Sequence, residues 1–326
     1  MVEAADLATF RRHGGRLGAA EACFPQAPRP WLDLSTGINP RAYPLAPFRR
    51  DALRRLPDPA ALARAEAAAA RAFGVTPDHL AATSGGEGAL RLLPWLLQAR
   101  RVAIAADTYG GHGEAWRAAG AEVVRDPAAA DAWLVVNPNN PDGAVMSAPA
   151  ILHSASRRWT VVDEAFADAH PDVSIAAQAG GRLVVLRSFG KFYGLPGLRL
   201  GFVLAAPQLI AKIRLAQGDW PVGPEAMAAA THAYADEAWA SRTRTRLAAG
   251  AARLDRVLRR AGLEILGGTS LFRLARSPEA PQIFLQLARA GVLCRPFDDP
   301  ARLRFGLPGA GRDWVRLTSA LTGGLP

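Results

Sequence analysis

Lysine is almost absent from this 326-residue chain. All but two of its 39 Lys and Arg residues are arginine, the exceptions being Lys191 and Lys212. Arginine stays protonated, whereas lysine can lose its proton and attack a carbonyl carbon to form an imine. A lysine kept against so strong an arginine bias points to a site that uses that chemistry. Lys191 stands in Ser188-Phe189-Gly190-Lys191-Phe192-Tyr193-Gly194, just after the apolar run Leu183 to Leu186; Lys212 has no such setting. Asp163 follows another apolar run, Thr160 to Val162, so its carboxylate is at or near the interior and requires a partner. Ser84-Gly85-Gly86-Glu87 either offers backbone N–H groups and a helix start to a phosphate or is a tight turn that needs glycine. Tyr109 either stacks on a flat ring or packs locally. Asn140-Pro141, within Asn137-Pro138-Asn139-Asn140-Pro141, is either a polar contact or a plain turn.

These segments share a position. Short apolar runs at Leu80 to Ala82, Val102 to Ala106, Trp133 to Val136, Thr160 to Val162, Leu183 to Leu186 and Leu200 to Leu204 alternate with helical patterns. That alternation predicts an α/β fold whose large domain holds a mostly parallel sheet flanked by helices. Five of the runs end in the polar or aromatic groups above, and ligands of open parallel sheets bind beyond the carboxyl ends of the strands. A helix is expected over Ala61 to Phe73, stopped by Gly74, and another over Ala89 to Gln98, with a kink or boundary at Pro94. From Pro207 the texture changes: a long helical region from Pro224 to Ala261, strands near Leu263 to Leu266 and Leu271 to Leu274, a helix over Pro281 to Ala290, strands at Val292 to Cys294 and Leu303 to Phe305, and a last helix from Asp313. The expected division is an amino-terminal arm (1–40) packing on a smaller α+β domain (207–326), with the large domain at 41–206.

Composition narrows the class. Half of the residues are hydrophobic and 21% are charged, as in globular rather than disordered chains. No apolar run reaches the ~18 residues of a membrane span, and Met1 to Gly15 has no apolar core of a secretory signal. Cys23 and Cys294 form neither a disulfide framework nor a zinc pattern, so a reducing, cytoplasmic setting is expected, with no metal. The net charge of +10 comes from dispersed arginines, not the basic stripe with interleaved aromatics that nucleic-acid binding requires. An anionic small molecule is the expected partner, with no nucleic acid and no membrane.

The run from Ser188 through Lys191 to Arg199 and Gly201 resembles the cofactor-lysine segment of the fold type I pyridoxal-phosphate aminotransferases. Asn137 to Gly143 resembles that family's asparagine loop, and Asp163-Glu164-Ala165-Phe166 its aspartate motif. The resemblance extends from about Trp31 to the final helix. His13-Gly14-Gly15-Arg16, Leu32 to Pro40, Leu56-Pro57-Asp58-Pro59 and Leu303 to Gly309 are similar to segments of the threonine-phosphate decarboxylases of cobalamin biosynthesis; the histidinol-phosphate aminotransferases are near cousins.

The resemblance implies pyridoxal 5'-phosphate held covalently by Lys191, which also moves protons at the substrate carbon. It implies that Asp163 pairs with the ring nitrogen, Asn140 with the phenolic oxygen, and Tyr109 with the ring face. Gly85, Gly86, Glu87, Ser188 and Arg199 would hold the phosphate. Arg304 would grip the substrate carboxylate and Arg295 its far phosphate, with His13, Arg16 and Asn39 closing on the substrate. Phe166, Leu56 and Gly190 depart from residues common in the family: a tyrosine, a tyrosine and a serine. The implied reaction is decarboxylation of L-threonine O-3-phosphate to (R)-1-aminopropan-2-yl phosphate, with transamination of histidinol phosphate or a related amino acid as the alternative. A homodimer is also implied.

Overall fold

The computed structural model describes residues 4–46, 50–299 and 301–323. Met1 to Glu3, where the expected arm begins, lie outside them. In chain order the strands are β1 (Leu32–Asp33), β2 (Leu80–Ser84), β3 (Arg101–Ile104), β4 (Glu122–Val124), β5 (Ala132–Val136), β6 (Trp159–Asp163), β7 (Leu183–Ser188), β8 (Leu200–Leu204), β9 (Glu264–Thr269), β10 (Phe272–Arg276), β11 (Val292–Leu293), β12 (Arg295–Pro296) and β13 (Arg302–Gly306).

Two compact units emerge, one of 42–243 and one combining 1–41 with 244–326. The first holds a seven-stranded sheet in the order β2-β8-β7-β6-β5-β3-β4. Only β8 runs against its neighbours. Its strands are apolar nearly throughout because helices cover the sheet; Leu93, Ile104, Trp116, Leu134, Val161 and Val203 are among the buried residues of its core.

Helix Pro59–Phe73 starts where the Asp58 side chain accepts the Ala60 N–H at 3.0 Å and ends at Gly74, φ +73°. The next helix spans Gly85–Leu97, four residues earlier than the expected start at Ala89. Glycines, poor helix formers, fill its first turn and hide it from the sequence pattern. It continues through Pro94, giving up one backbone bond, and stops at Gln98 in the left-handed region (φ +50°). The three-residue β4 is too short to show a strand pattern in the sequence.

The helical region expected from Pro224 to Ala261 is two helices, Pro224–Ala233 and Glu237–Arg260. The break comes where Asp236 Oδ1 accepts the Trp239 N–H at 2.9 Å, starting a new helix. The division between units falls inside that second helix, not at Pro207, where the sequence texture changes. Helix Pro207–Gln217 stays with the large sheet because it serves the free edge of β2. Arg214 Nη2 donates to Leu80 O (2.9 Å) and Gln217 Nε2 to Ala82 O (2.8 Å), while Glu66 Oε1 accepts the Ala82 N–H (2.8 Å). Side chains thus occupy an edge that could otherwise pair with another chain.

Glu66 is buried, and burial pushes its pKa above the ordinary 4.5 despite the Ala82 N–H and Arg214. A raised folded-state value means that native Glu66 holds its proton more tightly than the unfolded chain does. Its contribution is therefore fullest at low pH and declines as pH rises through the shifted titration. Glu66→Gln is expected to remove that slope, seen as a wild-type-minus-variant stability difference that is more favourable to the wild type in denaturant melts below pH 4.5 than in melts well above it.

In the other unit β12-β13-β10-β9 form an antiparallel sheet. The amino-terminal segment belongs to this unit through a separate two-stranded sheet, in which β1 pairs in parallel with β11, Leu32 opposite Val292. Helices Ala280–Arg289 and Gly311–Leu321 complete this unit. Among the described residues no helix is long and apolar enough to cross a membrane.

Candidate active site

In the large-sheet unit the expected residues collect at the carboxyl ends of the parallel strands. Asp163 closes β6. Its Oδ1 accepts the Ala165 N–H (2.9 Å), and its Oδ2 lies 2.8 Å from Nε2 of His112. His112 is buried and comes from helix Gly110–Ala118, one turn beyond Tyr109, which precedes that helix. The two rings stand edge to face at 5.8 Å. The Tyr109 hydroxyl donates to Glu87 Oε2 (3.3 Å), and Glu87 Oε1 accepts from Arg91 (2.8 Å). A continuous set of contacts therefore runs from Glu87 through Tyr109 and His112 to Asp163. Sequence reasoning missed His112; its signal is the three-residue spacing from Tyr109, which puts both on one face of a helix start.

The glycine segment after β2 meets the arginine before β8. Gly85 opens its helix at φ +74°, and a Cβ there would lie 2.7 Å from Arg199 Nη2. Gly201, opposite Ser188 in the sheet, lies so close to the helix start that a Cβ would be 2.4 Å from the Gly86 nitrogen. A Cβ on Gly86 would touch the Ser188 Cβ at 3.8 Å. Helix amides, a hydroxyl and a guanidinium thus converge, which suits a phosphate. Arg199 itself is left-handed at φ +52°, a strained conformation for a non-glycine residue. Gly201→Ala is expected to destabilise the protein by about 3 kcal/mol, checked by denaturant melts, because backbone rather than a movable side chain occupies the space.

Lys191 lies in the single turn Phe189–Phe192 after β7, half-buried, its ammonium 5.8 Å from the Phe166 ring centroid. A Cβ at Gly190 would be 2.7 Å from Pro196 Cα, so this backbone has no room for the commoner serine. Phe189 stacks on Tyr193 (4.6 Å), which stacks on Trp239 (5.6 Å), giving the turn an aromatic bed. In the asparagine loop, Asn139 accepts from Thr108 Oγ1 (2.7 Å) and donates to Asp107 O (2.9 Å) and Asp142 Oδ1 (2.8 Å). Asn137 accepts the Met146 N–H (2.9 Å). These two amides shape the loop; Asn140 is buried beside them. Together this unit offers a dianion cradle, an aromatic face, a carboxylate for a cationic ring nitrogen and an amine for an electrophilic carbon.

The other unit gathers the residues expected to bind substrate. Arg295 and Arg304 are directly opposite across β12 and β13, so two like charges share one face. Arg304 is buried; its Nη2 donates to Ser35 O (2.8 Å), and its guanidinium lies over Phe272 (5.1 Å). Burial pushes its pKa down to about 9, Arg295 adding to the effect and Asp33 opposing it. Arg295 lies over Phe297 (4.9 Å), and its Nη2 donates to the carbonyls of Arg11 and Arg12 (3.4 and 3.1 Å), which close helix Ala4–Arg12 just before His13. Gly15 N–H donates to Ser35 Oγ (2.7 Å), and a Cβ on Gly14 would lie 2.2 Å from Ser35 O. The His13 turn is thereby packed on the residue whose carbonyl holds Arg304. Arg16 is exposed at the start of helix Leu17–Cys23. Asn39 is buried and its Oδ1 accepts the Arg41 N–H (3.0 Å), an Asx turn.

Residues 48–322 match the family model for aminotransferase class I and II. The chain is 38% identical over 325 residues to a threonine-phosphate decarboxylase of Pseudomonas aeruginosa and 40% identical over 333 residues to one of a Sinorhizobium species, each alignment covering 95% of this chain and 97% of the relative. The fold matches that of a histidinol-phosphate aminotransferase from Sinorhizobium meliloti, solved in complex with pyridoxal-5'-phosphate, with a TM-score of 0.79, 21% identity, and 94% and 93% of the two chains covered.

Proposed function

The chain belongs to the class I and II aminotransferase family, and from that premise we propose that it is a pyridoxal-phosphate-dependent lyase that decarboxylates L-threonine O-3-phosphate to (R)-1-aminopropan-2-yl phosphate. The product would serve cobalamin biosynthesis. The donor set suits the cofactor. Gly85 and Gly201, which carry no Cβ, let the helix start approach Arg199 and the Ser188 strand closely, so that backbone amides, a guanidinium and a hydroxyl meet where its phosphate would be held. The Asp163 carboxyl, held by His112, suits a protonated ring nitrogen. Bound there, pyridoxal phosphate supplies an electron sink conjugated with the substrate's Cα.

The residues of the chain do the rest. Lys191 would hold the cofactor through its amine and would deliver to the substrate's Cα the one proton that replaces the carboxylate lost as CO2. Asp163 would keep the ring nitrogen protonated, Asn140 would hold the phenolic oxygen and Tyr109 would cover the ring. Arg304 orients the carboxylate whose bond to Cα breaks. Arg295, His13, Arg16 and Asn39 hold the far phosphate and backbone of the substrate. We further propose that the protein works as a homodimer in the cytoplasm.

The observation that carries the substrate class is the facing pair Arg295 and Arg304. Like charges directly opposite in a sheet are unfavourable, and an anion with a carboxylate at one end and a phosphate at the other relieves both. L-threonine O-3-phosphate at a hundred times its Kd is expected to stabilise the wild type by about 2.7 kcal/mol. Arg295→Ala is expected to lose most of that gain, read by thermal melts. Product analysis tests the reaction itself. Amino-alcohol phosphate and CO2 without keto acid supports the decarboxylase; keto acid with pyridoxamine phosphate supports transamination instead.

A further inference from the structure

Behind the strand ends lies a cluster of charges that the scheme above does not use. Glu164, fully buried, directly follows Asp163, and Arg187, also buried, directly precedes Ser188. Successive side chains of a strand point to opposite faces, so the pair sits on the reverse of the sheet from Asp163 and Ser188. Arg187 Nη1 donates to Glu164 Oε2 (2.6 Å) and to Ser174 Oγ (3.1 Å), while Nη2 donates to Asp168 Oδ1. Glu164 also accepts from Ser174 Oγ (2.6 Å) and the Ile175 N–H (2.7 Å). The guanidinium lies over the Phe73 ring at 4.4 Å, and Phe73 packs on Tyr234. Burial disfavours the charge of Arg187, yet Asp168 and Glu164 outweigh it and raise its pKa. Backbone register agrees: the Glu164 N–H donates to Leu186 O (2.9 Å).

A buried ion cluster is a poor choice for stability alone, since apolar side chains of equal volume often hold a core as well or better. What it adds is direction, because a forked guanidinium fixes two carboxylates at once. Building on the cofactor reading above, we propose that Arg187, Glu164 and Asp168 are positioning residues that lock the ends of β6 and β7, and with them Asp163 and the Ser188–Lys191 segment, in the arrangement the cofactor requires.

Pyridoxal phosphate is titrated into apo-protein, and the pH dependence of the bound cofactor's visible absorption is recorded. Arg187→Lys keeps the charge but not the fork. It is expected to fold, to bind the cofactor about tenfold or more weakly, and to shift the absorption midpoint upward as Asp163 loses its hold on the ring nitrogen. The charge-free combination of Arg187→Met, Glu164→Gln and Asp168→Asn is expected to melt near or above the wild type while binding the cofactor no better than Arg187→Lys. Wild-type affinity and absorption midpoint in Arg187→Lys would overturn the positioning role, whatever the melting temperature of the triple variant. A wild type that binds no pyridoxal phosphate would overturn the functional reading as well, so the two failures are distinct.

Discussion

Lys191→Ala should form product from L-threonine O-3-phosphate at least about 10^3-fold more slowly than the wild type. Alanine can neither bond the cofactor nor carry the proton that replaces the departing carboxylate at Cα. The loss belongs in kcat, because Arg304 and Arg295, which the scheme assigns to substrate binding, are untouched. The fold should survive: Lys191 is half-buried in a single turn whose packing comes from Phe189, Phe192 and Tyr193. Added methylamine is expected to restore part of the proton transfer. Steady-state rates with circular dichroism on the same sample check this, and a variant within about tenfold of wild type would remove Lys191 from the chemistry.

Asp163→Asn is expected to cost about 3 kcal/mol in kcat/KM, roughly a hundredfold or more. The substitution keeps shape and the Ala165 N–H contact at Oδ1 but removes the carboxylate to which the proposed scheme assigns protonation of the ring nitrogen. It also leaves His112, buried and 2.8 Å from Oδ2, facing an amide in place of a carboxylate. His112→Ala, by contrast, should cost less, because it removes a support of Asp163 rather than the charge. Rates for the two variants, measured beside the pH dependence of the cofactor's absorption, separate the roles. Equal losses would mean that His112 and Asp163 act as one unit.

Much of this site could be read from residue types because its chemistry demands unusual ones. A lysine among arginines and an aspartate closing an apolar strand stand out against their surroundings, and the strands that lead to them are short runs built around Val and Leu. Other parts were hidden for physical reasons. Arg187 is one arginine among many, and its importance arises only when β6 and β7 lie side by side and bring Glu164 against it. His112 needs the turn of its helix to reach Asp163, which is 51 residues away. The helix start at Gly85 is masked because its amides, not its side chains, do the work. The facing of Arg295 and Arg304 depends on antiparallel register across an intervening loop, which no local pattern records. The break at Tyr234 to Asp236 turns on a single capping carboxylate inside an otherwise helical stretch.

The most direct test of the account is borohydride reduction of the protein loaded with pyridoxal phosphate, followed by peptide mass mapping. The expected result is one reduced cofactor fixed to the peptide containing Lys191, absent when that residue is alanine. Label on Lys212 alone, or none on any lysine, would contradict it.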